Sequence, residues 1–234
     1  MIPRTIHYCW YGGGPPNALM QRCLESWRRV LPDFTIKRWD ETNTPIETPF
    51  CRAARARLAW AALSDHVRYH ALYTEGGVYL DTDVEVLRDF TPLLAHEGFL
   101  GFQQQEEEED WVNSAIMGLR PGSDFARRCL ERNDELFART GRFWRGPTVT
   151  TMVLKELGLR RYGLQAVGGV TLYPIEAFSP FPWFGTYSPD CVRPGTYCVH
   201  HWEASWQKSP LFSLRRRLRM VKRRVVGWLS SGAR

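Results

Sequence analysis

Residues 75–83 read Glu-Gly-Gly-Val-Tyr-Leu-Asp-Thr-Asp, and no other stretch of this 234-residue chain restricts its fold so tightly. The apolar run Val78-Tyr79-Leu80 has the composition of a buried strand; two glycines open it and two carboxylates close it. Charge at the exit of a buried strand puts the chemistry at the carboxyl end of a sheet, where open α/β folds bind their ligands. Two carboxylates ~4 Å apart repel by about 4 kcal/mol at an intermediate dielectric, so Asp81 and Asp83 call for a cation or a proton in the working state. Paired carboxylates one residue apart can grip a divalent ion between them. The competing reading of so short a pattern is a solvated turn that happens to hold two aspartates.

The segment ahead of the motif aims a second charged pair at the same place. Phe50 to Thr74 is rich in Ala, Arg and Leu, has no internal Gly or Pro and follows Pro49, which predicts one long helix ended by Glu75-Gly76-Gly77. Leu58, Ala62, Asp65, Arg68, Tyr69 and Leu72 recur at three- and four-residue spacings, so Asp65 and Arg68 fall on or beside the packed face. A solvated intrahelical pair, worth only about 0.3–0.5 kcal/mol, is the alternative. If the helix runs directly into the acidic strand, Arg68 is placed to neutralise a diphosphate and Asp65 to hold a sugar hydroxyl.

Ser64-Asp65-His66-Val67-Arg68, followed by Leu72 to Asp83, resembles the S-D-x-x-R…L-x-x-x-G-G-x-Y-x-D-x-D signature of glycosyltransferase family 32. These are DXD-motif sugar transferases that include capsular polysaccharide and fungal mannosyltransferases, and more distantly the glucosylating clostridial toxins. The opening Ile2-Pro3-Arg4-Thr5-Ile6-His7-Tyr8-Cys9-Trp10-Tyr11-Gly12-Gly13 is similar to the family's first strand and glycine turn. Ile6 to Trp10 reads independently as a short strand, and Gly12 to Gly14 permit close approach of backbone to a ligand. The resemblance implies that Trp10, at the strand exit, stacks on the donor's base beside Gly12 and Tyr79; a core tryptophan is the other reading.

Two shorter segments are also similar to the family. Asn113-Ser114-Ala115-Ile116-Met117 matches a segment that holds an asparagine near the donor sugar, and Arg145-Gly146-Pro147-Thr148 matches a T-G-P segment, although Gly-Pro marks turns in any protein. Val199 to Trp206 resembles the C-terminal H-x-W and S-W elements, which implies a return of His200 to the metal and of Ser205 and Trp206 to the diphosphate. Neutral imidazole ligates Mn²⁺, and hydroxyl and indole donate to phosphate oxygens. In a strand His200 and His201 face opposite ways, so one of them reaches the site; the H-x-W spacing selects His200, and ordinary structural histidines remain the alternative.

Alternating elements complete the expectation: a helix over 17–30, a strand over 34–39, helices over 125–139 and 149–157, and irregular Pro-rich chain over 174–194 whose aromatics line an acceptor side or pack in the core. Glu106 to Asp110 reads as a solvated acidic loop. The fold expected is α/β, a GT-A-type Rossmann-like nucleotide-sugar-binding domain with a mostly parallel central sheet, over residues 1–206. The cysteines at positions 9, 23, 51, 129, 191 and 198 show no CxxC spacing, so they read as reduced core residues.

The net charge of +6 belongs to the tail, because residues 207–234 carry nine Lys or Arg and no acid, which leaves −3 for the first 206. Leu211, Leu214, Leu218, Val221, Val225 and Trp228 recur there at helical spacing, the pattern of an amphipathic helix on an anionic membrane surface; a solvated closing helix is the alternative. No stretch approaches the ~20 apolar residues of a spanning helix and the N-terminus enters a strand directly, so a cytoplasmic, peripherally membrane-associated protein is expected. No nucleic-acid motif accompanies the basic tail.

Asp65, Arg68, Asp81, Asp83 and Asn113 are thus the expected catalytic set, with Mn²⁺ or Mg²⁺ on Asp81, Asp83 and His200. The reaction implied by the resemblance is retaining transfer of a hexose from a nucleotide-diphosphate sugar, UDP-hexose before GDP-mannose, to a glycan or lipid-linked acceptor. Haloacid-dehalogenase phosphohydrolases also begin with D-x-D after an apolar strand. Their motif wants Thr or Val where this chain has Glu85. A non-catalytic protein that binds nucleotide sugar or anionic lipid is the third reading.

Overall fold

The computed structural model describes residues 1–44 and 46–203; the basic tail, with Ser205 and Trp206, lies outside the described residues. Strand β1 (Thr5–Cys9) lies between β2 (Thr35–Trp39) and β3 (Gly77–Leu80), parallel to both. Helix α1 (Ala18–Val30) makes the first crossover. Its Asn17 cap accepts the Met20 N–H at 2.9 Å, and Arg28 and Arg29 face the negative end of its dipole. Beyond β3 come β4 (Val84–Val86), β5 (Gly98–Phe102), β6 (Val112–Leu119), β7 (Gln165–Val167), β8 (Val170–Tyr173) and β9 (Cys198–His200). The main sheet has the order β2-β1-β3-β6-β5-β8-β7, with only β6 and β7 running against the rest; β4 and β9 pair separately.

Each face of the sheet carries its own core. Along β3 the side chains alternate, so Tyr79 joins Leu63, Val67, Leu72, Met117 and Val153 on one face, while Val78 and Leu80 join Ile6, Trp27, Phe90, Phe99 and Phe178 on the other. The first face is covered by α2 (Pro49–Ala56), α3 (Trp60–Thr74), α4 (Asp124–Thr140) and α5 (Gly146–Glu156). The segment 174–194 is largely irregular, interrupted by the single-turn α6 (Ile175–Phe178) and a 3₁₀ turn at Pro189–Cys191. Phe178, Phe181 and Phe184 there are buried.

The single helix expected over 50–74 is two helices. Chain reversal occurs at Leu58, which takes the left-handed conformation (φ +51°) without being glycine, while the Ala59 N–H bonds Ala54 O at 2.8 Å. Local sequence carries no breaker, so tertiary packing imposes the break. It turns the start of α3 so that Trp60 stacks on Tyr11 at 5.8 Å and 17°. At the other end, Gly76 and Gly77 take φ of +66° and +104°, and a Cβ on Gly77 would stand 2.6 Å from Thr5 O. His7 secures that turn: its Nδ1 accepts the Trp39 indole N–H at 3.1 Å, which leaves the Nε2 proton for Gly76 O at 2.8 Å. The acidic strand therefore leaves its helix at a fixed angle.

Two expectations follow for stability. Leu58 is 67% exposed. Holding an L-residue left-handed costs roughly 1–2 kcal/mol, of which the added chain entropy of glycine takes back about 0.5–1. Leu58→Gly should therefore raise the urea midpoint by an amount equivalent to up to about 1 kcal/mol, and a loss of stability would contradict the strain. His66 is buried on Phe50, and burial, with His70 second, pulls its pKa from 6.5 to about 4. The nearest carboxylate, Asp134, is 3.9 Å away and does not hold the protonated ring. Below pH 6.5 the unfolded chain binds the proton that the fold refuses, so stability is full above that pH and falls as pH drops toward 4, by about 3 kcal/mol from this group. Denaturation at pH 7 and 4.5 should show the loss in wild type and a shallower one in His66→Phe; equal slopes would refute the assignment.

Candidate active site

Asp81 leaves β3 with its N–H on Ala115 O at 2.8 Å, so β6 fixes the backbone at the sheet edge. Its Oδ1 accepts the Tyr79 hydroxyl at 2.9 Å and lies 3.3 Å from an Arg68 amino nitrogen. The same nitrogen is 2.8 Å from Asp65 Oδ1, while the other amino group donates to Ser114 O at 2.7 Å and Ser114 Oγ at 3.0 Å. Arg68, 5% exposed and 4.7 Å over the Tyr79 ring, is thus a bridge between two carboxylates rather than a solvated partner of one. Its position on the packed face of α3 accounts for this. Tyr79 is buried and touches Asp81 through its hydroxyl.

Asp65 also faces the first turn of α5. Burial raises its pKa, opposed by the Arg68 charge and by the Gly146 N–H, which donates to the carboxylate. A Cβ on Gly146 would stand 2.5 Å from Asp65 Oδ1 and 2.6 Å from Ser114 Oγ, so only glycine fits there. The Arg145-Gly146-Pro147 segment is accordingly a helix start with Pro in its first turn, not a bare loop.

Asp83 sits two residues on and is 14% exposed. Pairing of β4 with β9 puts Val84 opposite His200, which brings His200 Nε2 to 3.3 Å from Asp83 Oδ1. Alternation sends His201 the other way, to Glu85 at 2.8 Å. Burial pushes the Asp83 carboxyl up, but His200 and the Glu203 N–H, 2.9 Å from Oδ2, outweigh it and hold the group below the usual carboxylate range. Asn113 backs the imidazole: its amide nitrogen is 3.2 Å from His200 Nδ1 and 3.1 Å from Ser179 Oγ, while its oxygen accepts the Ala115 N–H. Trp202, left-handed at φ +55°, lies against the same ring at 3.9 Å between centroids.

One ligand atom each from Asp81, Asp83 and His200 lies within 4.8 Å of the others. Two carboxylates, one of them held ionised, and an imidazole suit a divalent ion with mixed oxygen and nitrogen ligands. Tyr79 and Arg68 both engage Oδ1 of Asp81, which leaves Oδ2 for a cation.

These groups form the floor of one cavity of about 1190 Å³. One wall is aromatic: Trp10, its indole N–H on Gly14 O at 2.8 Å, with Tyr11 and Trp60. Gly12 (φ +85°) makes that wall possible, because a Cβ there would stand 3.0 Å from the Trp60 nitrogen. Trp60 had no signal in the sequence, since the helix break that aims it has none. Glu108, Glu109, Arg142, Trp144 and Trp183 also line the cavity. The acidic run is largely exposed, as expected, and is tied down by Asp110–Arg145 at 2.9 Å and Glu107–Lys155 at 2.6 Å, while Glu108, Glu109 and Asp110 also line the cavity.

Residues 17–100 match the model of a glycosyltransferase sugar-binding region containing the DXD motif. The lactosylceramide 4-alpha-galactosyltransferase of Pongo pygmaeus is 32% identical over 62% of this chain and 68% of its own length. The chain belongs to the DXD-motif glycosyltransferase family. The Mus musculus lactosylceramide 4-alpha-galactosyltransferase is 32% identical over 77% of the chain but 53% of that protein; the chain spans about half the length of the first of these curated relatives. Its fold is of the GT-A type, as in the galactosyltransferase LgtC solved with donor and acceptor sugar analogs (TM-score 0.50, 14% identity, 88% of this chain and 90% of that one). Membership in the DXD family displaces the phosphohydrolase reading of the same triplet.

Arg68 links Asp65, Asp81 and Ser114. Arg68→Met leaves two half-buried carboxylates without their shared countercharge and should cost about 1–3 kcal/mol of folding stability. Urea denaturation checks it; a loss under 1 kcal/mol would show that the carboxylates are solvated.

Proposed function

We propose that the chain is a metal-dependent, retaining glycosyltransferase that moves a hexose from a nucleotide-diphosphate sugar to a glycan or lipid-linked acceptor. The observation that carries this reading is the convergence of Asp81, Asp83 and His200 within 4.8 Å on the floor of a cavity that also holds the Asp65–Arg68 pair. In this reading Mn²⁺ or Mg²⁺ held by those three residues stabilises the charge that develops on the leaving diphosphate. Trp10 and its aromatic neighbours hold the base, and Gly12 lets the backbone come close. Asp65 takes a sugar hydroxyl while Arg68 keeps it and Asp81 in place. Asn113 fixes the imidazole of His200.

The names of the curated relatives support a galactosyl donor and a glycolipid acceptor, so UDP-hexose is the first donor and GDP-mannose the second. Ser205 and Trp206 would reach the diphosphate, and the amphipathic segment over 211–228 is the part that would meet an anionic membrane from the cytoplasmic side. No helix among the described residues is long and apolar enough to cross one. The family resemblance supports retention, with the leaving phosphate assisting attack on the same face of the sugar.

A panel of UDP- and GDP-sugars with Mn²⁺ tests this. Nucleoside diphosphate should be released from one donor, stop with EDTA, and fall at least 100-fold in Asp83→Ala while the unfolding transition stays cooperative. Undiminished turnover in that variant would remove the metal role, and absence of turnover on every donor would favour a non-catalytic binder.

A further inference from the structure

The polar side chains of the cavity floor are mostly committed to one another. Asp65 and Asp81 share Arg68, Ser114 accepts from the same guanidinium, and Asn113 is engaged with Ser179, His200 and the Ala115 N–H. Gln103 differs. It lines the cavity, is 4% exposed, and its amide makes no hydrogen bond among the described residues. Its neighbour Gln104 is equally buried, but the Gln104 amide nitrogen is shut away from solvent as well as from any partner, whereas the Gln103 amide opens into the cavity. A buried amide left unpaired costs stability, and one kept at a cavity wall is available to a ligand.

Strand order sets which part of a ligand that amide meets. β5 ends at Phe102, and the Gln103 N–H bonds Trp111 O at 3.0 Å, so β6 fixes Gln103 at the same sheet edge as Asp81 and Asn113. In the order β1-β3-β6-β5 it stands three strand spacings, about 14 Å, from the exit of β1 that carries Trp10, and two spacings, about 10 Å, from the exit of β3 that carries Asp81. A ligand with its base on Trp10 and its diphosphate at the Asp81, Asp83 and His200 cluster continues toward Gln103 with its sugar. An uncharged amide offers a donor and an acceptor together, which complements a hydroxyl; toward a phosphate its carbonyl oxygen would face another acceptor.

We propose that Gln103 is a substrate-contacting residue whose amide hydrogen-bonds a hydroxyl of the hexose being transferred. This rests on the transferase reading above and adds to it a residue that selects the donor sugar. The unpaired amide is then a group whose partner arrives with the substrate, held in place beforehand by the β5–β6 pairing.

Gln103→Met keeps the volume and removes both polar atoms, so its unfolding midpoint should hold or rise, where loss of a structural amide would lower it. With Mn²⁺ present, its affinity for the nucleoside diphosphate of the donor that the panel selects should stay within about twofold of wild type, since base and diphosphate lie elsewhere in the cavity. Hydrolysis of the intact donor should lose about tenfold or more in kcat/KM. Among monodeoxy analogues of that donor, the one lacking the contacted hydroxyl should be hydrolysed equally by wild type and variant. Full hydrolysis in Gln103→Met would overturn the contact and leave the transferase reading standing, as would a lowered midpoint or a matching loss of diphosphate affinity. Absence of donor hydrolysis in wild type would overturn that reading and this contact with it.

Discussion

Three carboxylates share the floor of this cavity, and one guanidinium lies among them. Arg68 reaches Asp65 at 2.8 Å and Asp81 at 3.3 Å, so a single buried cation spans the α3 pair and the strand motif. Asp83 lies outside that bridge and depends on His200 and the Glu203 N–H. One positive charge cannot offset three negative ones, and the low dielectric of the site magnifies the imbalance. In the proposed reading, a divalent ion held by Asp81, Asp83 and His200 would bring the floor to neutrality, so that a diphosphate could approach without repulsion. Placement of the other groups follows from this balance. Tyr79 and Arg68 occupy one oxygen of Asp81 and leave the second for the ion; the β4–β9 pairing brings the imbalance's other partner, His200, across the chain.

The backbone serves the same end by close approach. Gly77 lets β3 run against Thr5, Gly12 lets Trp60 close the base wall, and Gly146 lets the start of α5 meet Asp65. Gly12 and Gly146 each stand where a side chain would press on a cavity-lining residue, whereas Gly77 serves the strand packing at the far end of β3. The strained residues lie at comparable points: Leu58 turns α3 toward β1, and Trp202 lies against His200.

Much of this was legible in the residues. The helix, Gly-Gly and acidic strand form one contiguous signal, because their periodicities and breakers act locally, and the membership and fold type follow from it. Period-2 alternation was enough to send His200 and His201 to opposite sides. The break at Leu58 was not legible, since its cause is the docking of Trp60 on Tyr11 rather than any property of residues 57–59. Nor was Trp144 as a lining residue, since it lies in an irregular segment whose placement depends on contacts far apart in sequence. The expected diphosphate contact of Arg68 stays a proposal; its side chain, 5% exposed, bridges two acids. The tail's role and those of Ser205 and Trp206 fall outside the described residues.

Manganese-edge anomalous diffraction from crystals grown with Mn²⁺ and the selected nucleoside diphosphate tests the charge balance most directly. The account predicts one strong peak ligated by Asp81, Asp83 and His200, with diphosphate oxygens completing its coordination. A cavity without a peak, or an ion bound elsewhere with Asp83 still hydrogen-bonded to His200, would contradict it.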